Sequence, residues 1–253
     1  MEKHFCLDDS PTFRMIALDE VDSTNNFLRH QTAPDDCRTT LVTAEFQTAG
    51  RGSGQNRWES ARSQNLLLSL SVMPAALPAR RMYAISEAAA LAVADALSTF
   101  APGFLVKWPN DVYHGDGKVA GLLIENDLQG ALVQRSTIGM GININQRTWV
   151  SDAPNPLSLA MVAGHDIERR QVLEQLMAHF MHYMHLIDDG QLDALHATYL
   201  SRLYRKDEEH GYCDVNGPFR ATLTDVEPTG HLILRDTEGL LRRYEFKEVR
   251  FLL

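Results

Sequence analysis

Lys107, Asn110, Asp111 and Lys118 crowd the stretch KWPNDVYHGDGK. A lysine held on a strand beside a glycine-containing hairpin can reach a buried anionic group, and such groups form wherever carboxylates or phosphates react. A solvated hairpin would carry the same composition. A second cluster, GRGSGQNRW at 50–58, alternates Gly50, Gly52 and Gly54 with Arg51 and Ser53 and closes on Arg57 and Trp58. Such a loop can fold over an anionic ligand with guanidinium groups and backbone amides as donors, or it can be a glycine-rich surface turn. It is neither a Walker loop, since Lys118 is followed by Val119, nor a dinucleotide fingerprint, since GRGSGQ lacks the last glycine. His179, His182 and His185 are spaced by three; on a helix they rotate steadily apart and cannot converge on one metal ion.

These groups need elements to hold them. GFLVKW at 103–108 and VAGLLIE at 119–125 read as strands, which places Lys118 at a strand entrance. Strands are also expected at 13–18, 39–47, 65–74 and 131–145, the last closing on the Gly139 and Gly141 pair. A helix is expected from Asp22, Ser23 and Thr24, whose side chains are good N-caps. The alanine-rich 81–100 predicts a long helix packed on a sheet. In 169–190 the residues Val172, Leu173, Leu176, Met177, Phe180, Met181, Met184 and Ile187 form one apolar stripe, and a second helix is expected over 191–204. Charge then accumulates in RKDEEHG, a domain boundary, and four or five short strands with turns at NGP, PTG and TEG predict a small β-barrel or sandwich.

Composition bounds the possibilities. The chain has 253 residues, 44% hydrophobic and 23% charged, enough for one sizeable core and a small accessory domain. A net charge of -9 argues against broad nucleic-acid binding, so any basic site must be local. Three scattered cysteines, Cys6, Cys37 and Cys213, suit a reducing compartment. The polar N-terminus and the lack of apolar runs approaching roughly 20 residues predict no membrane association and a cytoplasmic location.

DSTN at 22–25, EFQTAGRG at 45–52, Trp58, KWPND at 107–111, Lys118 followed by AGLLIE, and IGMGININ at 138–145 together resemble, in order and spacing, the biotin protein ligases. The resemblance covers roughly residues 13–146 through specific motifs. It implies an α/β (α+β) fold: a mixed sheet flanked by helices, similar to the class II aminoacyl-tRNA synthetase core, at 1–206, followed by a small β-barrel at 207–253. It also implies an activity, in which biotin and ATP, with Mg²⁺, form biotinyl-5'-adenylate and the biotinyl group passes to a lysine of a biotin carboxyl carrier protein domain.

The resemblance also implies residue roles. Lys118 matches a lysine bridging the reacting carboxylate and α-phosphate, and Arg51 an arginine on the carboxylate or adenylate region, a task suited to a bidentate guanidinium. Asp111 would hold Mg²⁺ or take a proton from the acceptor lysine, unless it is a structural partner of Lys107; the protein ligands of a metal stay unassigned. Biotin would meet Ser23, Thr24, Asn25 and Gln47 on one side. Arg51, Gly52, Ser53, Lys118, Gly121, Leu123 and Gly139 would complete that pocket. The nucleotide would lie against Gly50, Arg51, Arg57 and Trp58 from the loop, and against Lys107, Asn110, Lys118 and Asn143.

Two departures from the family pattern stand out. Many members carry loops such as GRGRRG, where this chain has Ser53, Gly54 and Gln55, which predicts a looser hold on the adenylate. Only 21 residues precede Asp22, too few for the helix-turn-helix domain of bifunctional relatives, so a ligase without repressor function is expected. A lipoate or octanoate ligase is the nearest rival, and a non-catalytic biotin-binding protein a rival of another class. The motifs favour biotin, and the retained Lys118 and Arg51 favour catalysis. Oligomeric state, a homodimer included, and the identity of the carrier are not readable from sequence.

Overall fold

The computed structural model describes residues 2–5, 13–31, 38–52, 54 and 56–252; Ser53, Gln55, Cys6 and Cys37 lie outside them. In chain order the strands of the first unit are β1 (Glu2–Phe5), β2 (Phe13–Val21), β3 (Thr39–Gln47), β4 (Leu66–Val72), β5 (Phe104–Lys107), β6 (Asp111–His114), β7 (Gly117–Gln129) and β8 (Leu132–Ile142). They form one sheet in the order β1-β2-β3-β4-β8-β7-β6-β5. It is mixed: β2 and β3 run parallel and the other neighbours antiparallel.

The helices are α1 (Thr24–Arg29), α2 (Tyr83–Ser98), α3 (Leu159–Ala163), α4 (Arg169–Asp188) and α5 (Leu192–Ser201). Period-two alternation assigns the two faces of the sheet. Leu41, Leu66, Leu68, Leu70, Ile138, Met140 and Ile142 join the main core with α2 and α4, while Val42 packs with Ile16 and Leu28 of α1 on the opposite face. The expected 81–100 helix is α2, preceded by a 3₁₀ turn at Ala79–Arg81. Its run Ala88–Ala90 is fully buried, because only small side chains let a central helix lie close to both the sheet and α4. On α4 the predicted stripe faces the core, with Tyr183 added and with Leu173 and Met181 only partly buried. His182 and His185 are exposed, and no group of three metal-binding side chains occurs among the described residues.

The C-terminal region forms a second sheet from β9 (Glu209–Asp214), β10 (Gly217–Val226), β11 (Leu232–Asp236), β12 (Leu241–Tyr244) and β13 (Arg250–Phe251). Its order is β12-β11-β10-β9-β13, all antiparallel. Five strands match the expectation, but the described pairings make an open ladder with no join between β12 and β13. Among the described residues, no helix is long and apolar enough to cross a membrane.

Candidate active site

A cleft of about 1310 Å³ opens on the α1 face of the large sheet. Its floor is built by register. Leu67 faces Gly141 and Ser69 faces Gly139 across β4 and β8, while Gly121 faces Gly141 and Leu123 faces Gly139 across β7 and β8. The bulky neighbours Met140 and Leu122 point into the core, so the alternation in IGMGI puts apolar groups on one face and bare backbone on the other. Larger side chains do not fit: a Cβ on Gly139 would lie 2.4 Å from Asn25 Oδ1, and one on Gly141 would lie 2.3 Å from Trp58 Cε2.

The DSTN segment forms the wall above this floor. Ser23 occupies the N-cap position of α1 yet makes no side-chain cap bond, so the cap expectation holds for its backbone only. Thr24 donates from its amide and hydroxyl to Gln47 Oε1, at 2.7 and 3.1 Å. The buried Ser69 hydroxyl lies 2.7 Å from Thr24 Oγ1 and 2.6 Å from Asn25 Oδ1. Asn25 in turn donates to the Leu123 carbonyl and to Glu125 Oε2. Buried polar groups are retained only where they find such partners, so this chain of contacts fixes the rotamers of the wall.

At the other end Lys118 Nζ lies 2.7 Å from Asp111 Oδ1 and 5.7 Å from the Trp58 ring. The structural partner of Asp111 is therefore Lys118, and the alternative pairing with Lys107 is corrected. Lys107 instead places its ammonium over Tyr113 and Phe251, at 5.1 and 4.6 Å from the ring centres. Burial holds its pKa below the ordinary lysine value, against the pull of Asp111. One Asp111 oxygen is paired with Lys118, and among the described residues no group of three metal-binding side chains occurs.

The described residues of the glycine segment carry backbone pairing that its composition does not signal. Arg51 and Arg57 form an antiparallel bridge, Gly52 donates to the Asn56 carbonyl and Trp58 to that of Gly50. Arg51, Gly52, Arg57 and Trp58 border the cleft. Gly50 is buried next to them, and a Cβ on it would lie 2.7 Å from the Trp58 carbonyl oxygen. Ser53 lies outside the described residues. The Trp58 indole lies over Gly121 and Gly141, and its Nε1 is buried with no hydrogen-bond partner among the described residues.

Asn110 and Asn143 both reach the cleft, though their amides also brace it: Asn110 donates to the Leu122 carbonyl and Asn143 to that of Leu157. Asn143 Oδ1 is buried without a partner among the described residues. The C-terminal sheet closes the far side. Trp108 Nε1 donates to the Gly230 carbonyl at 2.8 Å, Phe246 meets the Trp108 ring edge-on, and Lys247 and Arg250 border the opening. Among the described residues, six cations (Arg51, Arg57, Lys107, Lys118, Lys247, Arg250) and three carboxylates (Glu59, Asp111, Asp152) line the cleft, a local excess of positive charge in a chain of net charge -9.

Ser23, Thr24, Asn25, Gln47, Gly121, Leu123 and Gly139 thus line one cleft together with Lys107, Asn110, Asp111, Lys118 and Asn143. Sequence reasoning missed Ser69, Gly141, Glu125 and Lys247. Gly141 was legible as the second outward position of IGMGI, and Ser69 as a polar residue inside an otherwise apolar strand. Lys247 had no signal, since it is brought here from the C-terminal sheet.

The family model for the biotin/lipoate A/B protein ligase family matches residues 18–143. The biotin--[acetyl-CoA-carboxylase] ligase of Paracoccus denitrificans is 30% identical over 235 residues, covering 88% of this chain and 94% of the relative. The bifunctional ligase/repressor BirA of Bacillus subtilis is 29% identical over 237 residues, covering 90% of this chain and 70% of the relative. Among solved structures, the biotin protein ligase from Aquifex aeolicus in complex with biotin and ATP superposes with a TM-score of 0.75 at 25% identity, covering 94% of this chain and 99% of that one. The chain belongs to the biotin protein ligases of the biotin/lipoate A/B protein ligase family.

Proposed function

We propose that this protein activates biotin with ATP and transfers it to a lysine of a biotin carboxyl carrier protein domain. The observation that carries the reading is the placement of Lys118 on the same cleft face as the Gly121 and Gly139 floor, under the Trp58 ring. In the first step a biotin carboxylate oxygen attacks the α-phosphorus, the bond to the β-phosphate oxygen breaks, and pyrophosphate leaves with the electron pair. Two anions must approach, and an ammonium between them stabilises the charge that develops. In the second step the carrier amine attacks the acyl carbon and AMP leaves; Asp111 is the carboxylate at hand for the amine proton.

The volume supports two substrates, since a pocket for one small molecule typically measures roughly 300–1,000 Å³. The side-chain-free glycine floor, with Thr24 and Gln47 beside it, suits a flat neutral ureido bicycle. Trp58 and Asn143 Oδ1, which has no partner among the described residues, suit a purine and ribose. Mg²⁺ would be held by the phosphates of ATP and water. We also read residues 1–206 as a class II synthetase-like catalytic unit and 207–253 as a barrel-like accessory unit in a cytoplasmic enzyme. The test is exchange of labelled pyrophosphate into ATP with biotin, lipoate or octanoate supplied separately, followed by streptavidin detection on an added carrier domain. Biotin-dependent exchange and a labelled carrier are expected; exchange with lipoate alone overturns the substrate.

A further inference from the structure

Arg51 does not stand free in the cleft. Its Nη2 lies 3.1 Å from Glu125 Oε1 and its Nη1 3.4 Å from Glu125 Oε2, so the carboxylate takes the end-on face of the guanidinium. Asn26 Oδ1 accepts from Nη1 at 2.9 Å, and Asn26 is itself oriented by donating to Asp22 Oδ2 at 2.8 Å. The loop arginine is therefore held from two elements, α1 and β7. Glu125 also receives Arg29 Nη1 at 3.0 Å and Asn25 Nδ2 at 3.2 Å. Its side chain is 22% exposed, against 40% for Arg51.

Two consequences follow from this geometry. Glu125 is one carboxylate shared by two guanidinium groups, Arg29 and Arg51, so it does not neutralise both, and the Asp22 carboxylate reaches Arg51 only through Asn26. The side-on edge of Arg51, from Nε to Nη2, keeps donors for a second bidentate contact, since Nε has no partner among the described residues. A guanidinium fixed on one face offers the other at lower entropic cost than a mobile side chain does. Glu125 follows Gly121 and Leu123 at period two on β7, so the strand that builds the floor also sets the arginine.

We propose that Glu125 is the positioning residue of this site: it clamps the end-on face of Arg51 so that the side-on edge meets the substrate carboxylate or the adenylate phosphate, with Arg29 offsetting its charge. This rests on the ligase reading above. The test is biotin-dependent pyrophosphate exchange and thermal melting for wild type, Glu125→Gln, Glu125→Asp, Arg51→Ala and the Arg51→Ala/Glu125→Gln double variant. Glu125→Gln keeps the side-chain volume and should raise KM for biotin on the order of tenfold, as lost orientation does, with a smaller change in kcat. Glu125→Asp should recover part of that loss. The double variant should be no worse than Arg51→Ala, because residues acting as one unit are non-additive. Full additivity, or wild-type KM in a folded Glu125→Gln, overturns the proposal and leaves the ligase reading intact. A wild type without biotin-dependent exchange overturns both.

Discussion

Lys118 and Gly121 share the cleft face of β7, although three residues of a regular strand would put them on opposite faces. The cause is a bulge. Asp111 pairs with Gly121 and Val112 with Ala120, but Tyr113 pairs with Lys118, leaving Val119 as the extra residue. Val119 and Ala120 both enter the core, and the phase of the strand shifts by one. Lys118 Nζ thereby comes within 3.2 Å of where a Cβ on Gly121 would stand, and 2.7 Å from Asp111 Oδ1.

Lys118→Ala should lower kcat for pyrophosphate exchange by about 10²–10³, the range for removing one donor aimed at developing charge. The fold should survive, because Lys118 is 32% exposed at the cleft edge. Stopped or quenched-flow measurement of a single turnover separates this from weaker ATP binding, and near-normal turnover would remove Lys118 from the mechanism.

Gly139→Ala should hurt biotin binding more than ATP binding. The new methyl would meet Asn25 Oδ1, which is held by Ser69, so the wall above the floor must shift. A cost of about 1–3 kcal/mol in stability is expected from overpacking. Isothermal titration with biotin alone, alongside a melting curve, distinguishes a lost pocket from a lost fold.

Ser53→Arg should slow loss of the adenylate, since it adds a positive charge to the segment that carries Arg51 and Arg57. The readout is the off-rate of purified, labelled biotinyl-adenylate from the two proteins. An unchanged off-rate would show that loop charge does not govern retention in this enzyme.

His196 predicts a pH dependence of stability away from the cleft. Its Nδ1 lies 2.6 Å from the buried Glu87 Oε1, and this hydrogen bond raises the imidazole pKa above its ordinary value of 6.5, aided by Asp225 and opposed by desolvation and Arg81. A raised folded-state pKa means the stabilisation is fully present below pH 6.5 and is lost as pH climbs through the raised value. The melting temperature should fall over that interval in wild type, and His196→Gln should flatten this part of the profile. Parallel slopes for the two proteins would contradict the assignment.

Much of the architecture was legible because it depends on local pattern. The apolar stripe of α4, the alanine-rich α2 and the strands expected at 103–108 and 119–125 follow from periodicity and formed there within a few residues, while β6 between them was not foreseen. The glycine loop was harder to read, since its Arg51–Arg57 bridge joins residues whose composition signals only a turn. Gly50 is hard to read for a related reason: a glycine that makes room for a carbonyl looks the same in sequence as one that makes room for a ligand.

By itself the sequence determined which residues could do this chemistry and the order in which the motifs occur, because residue type and spacing survive in one dimension. Only the tertiary structure decided their partners. Asp111 belongs to Lys118 rather than Lys107 because a one-residue bulge turns Lys118 onto the cleft face. Arg51 belongs to Glu125, 74 residues away, because a loop, α1 and β7 meet over one sheet. Such pairings are long-range contacts whose register depends on the packing of the whole core, and no local spacing encodes them.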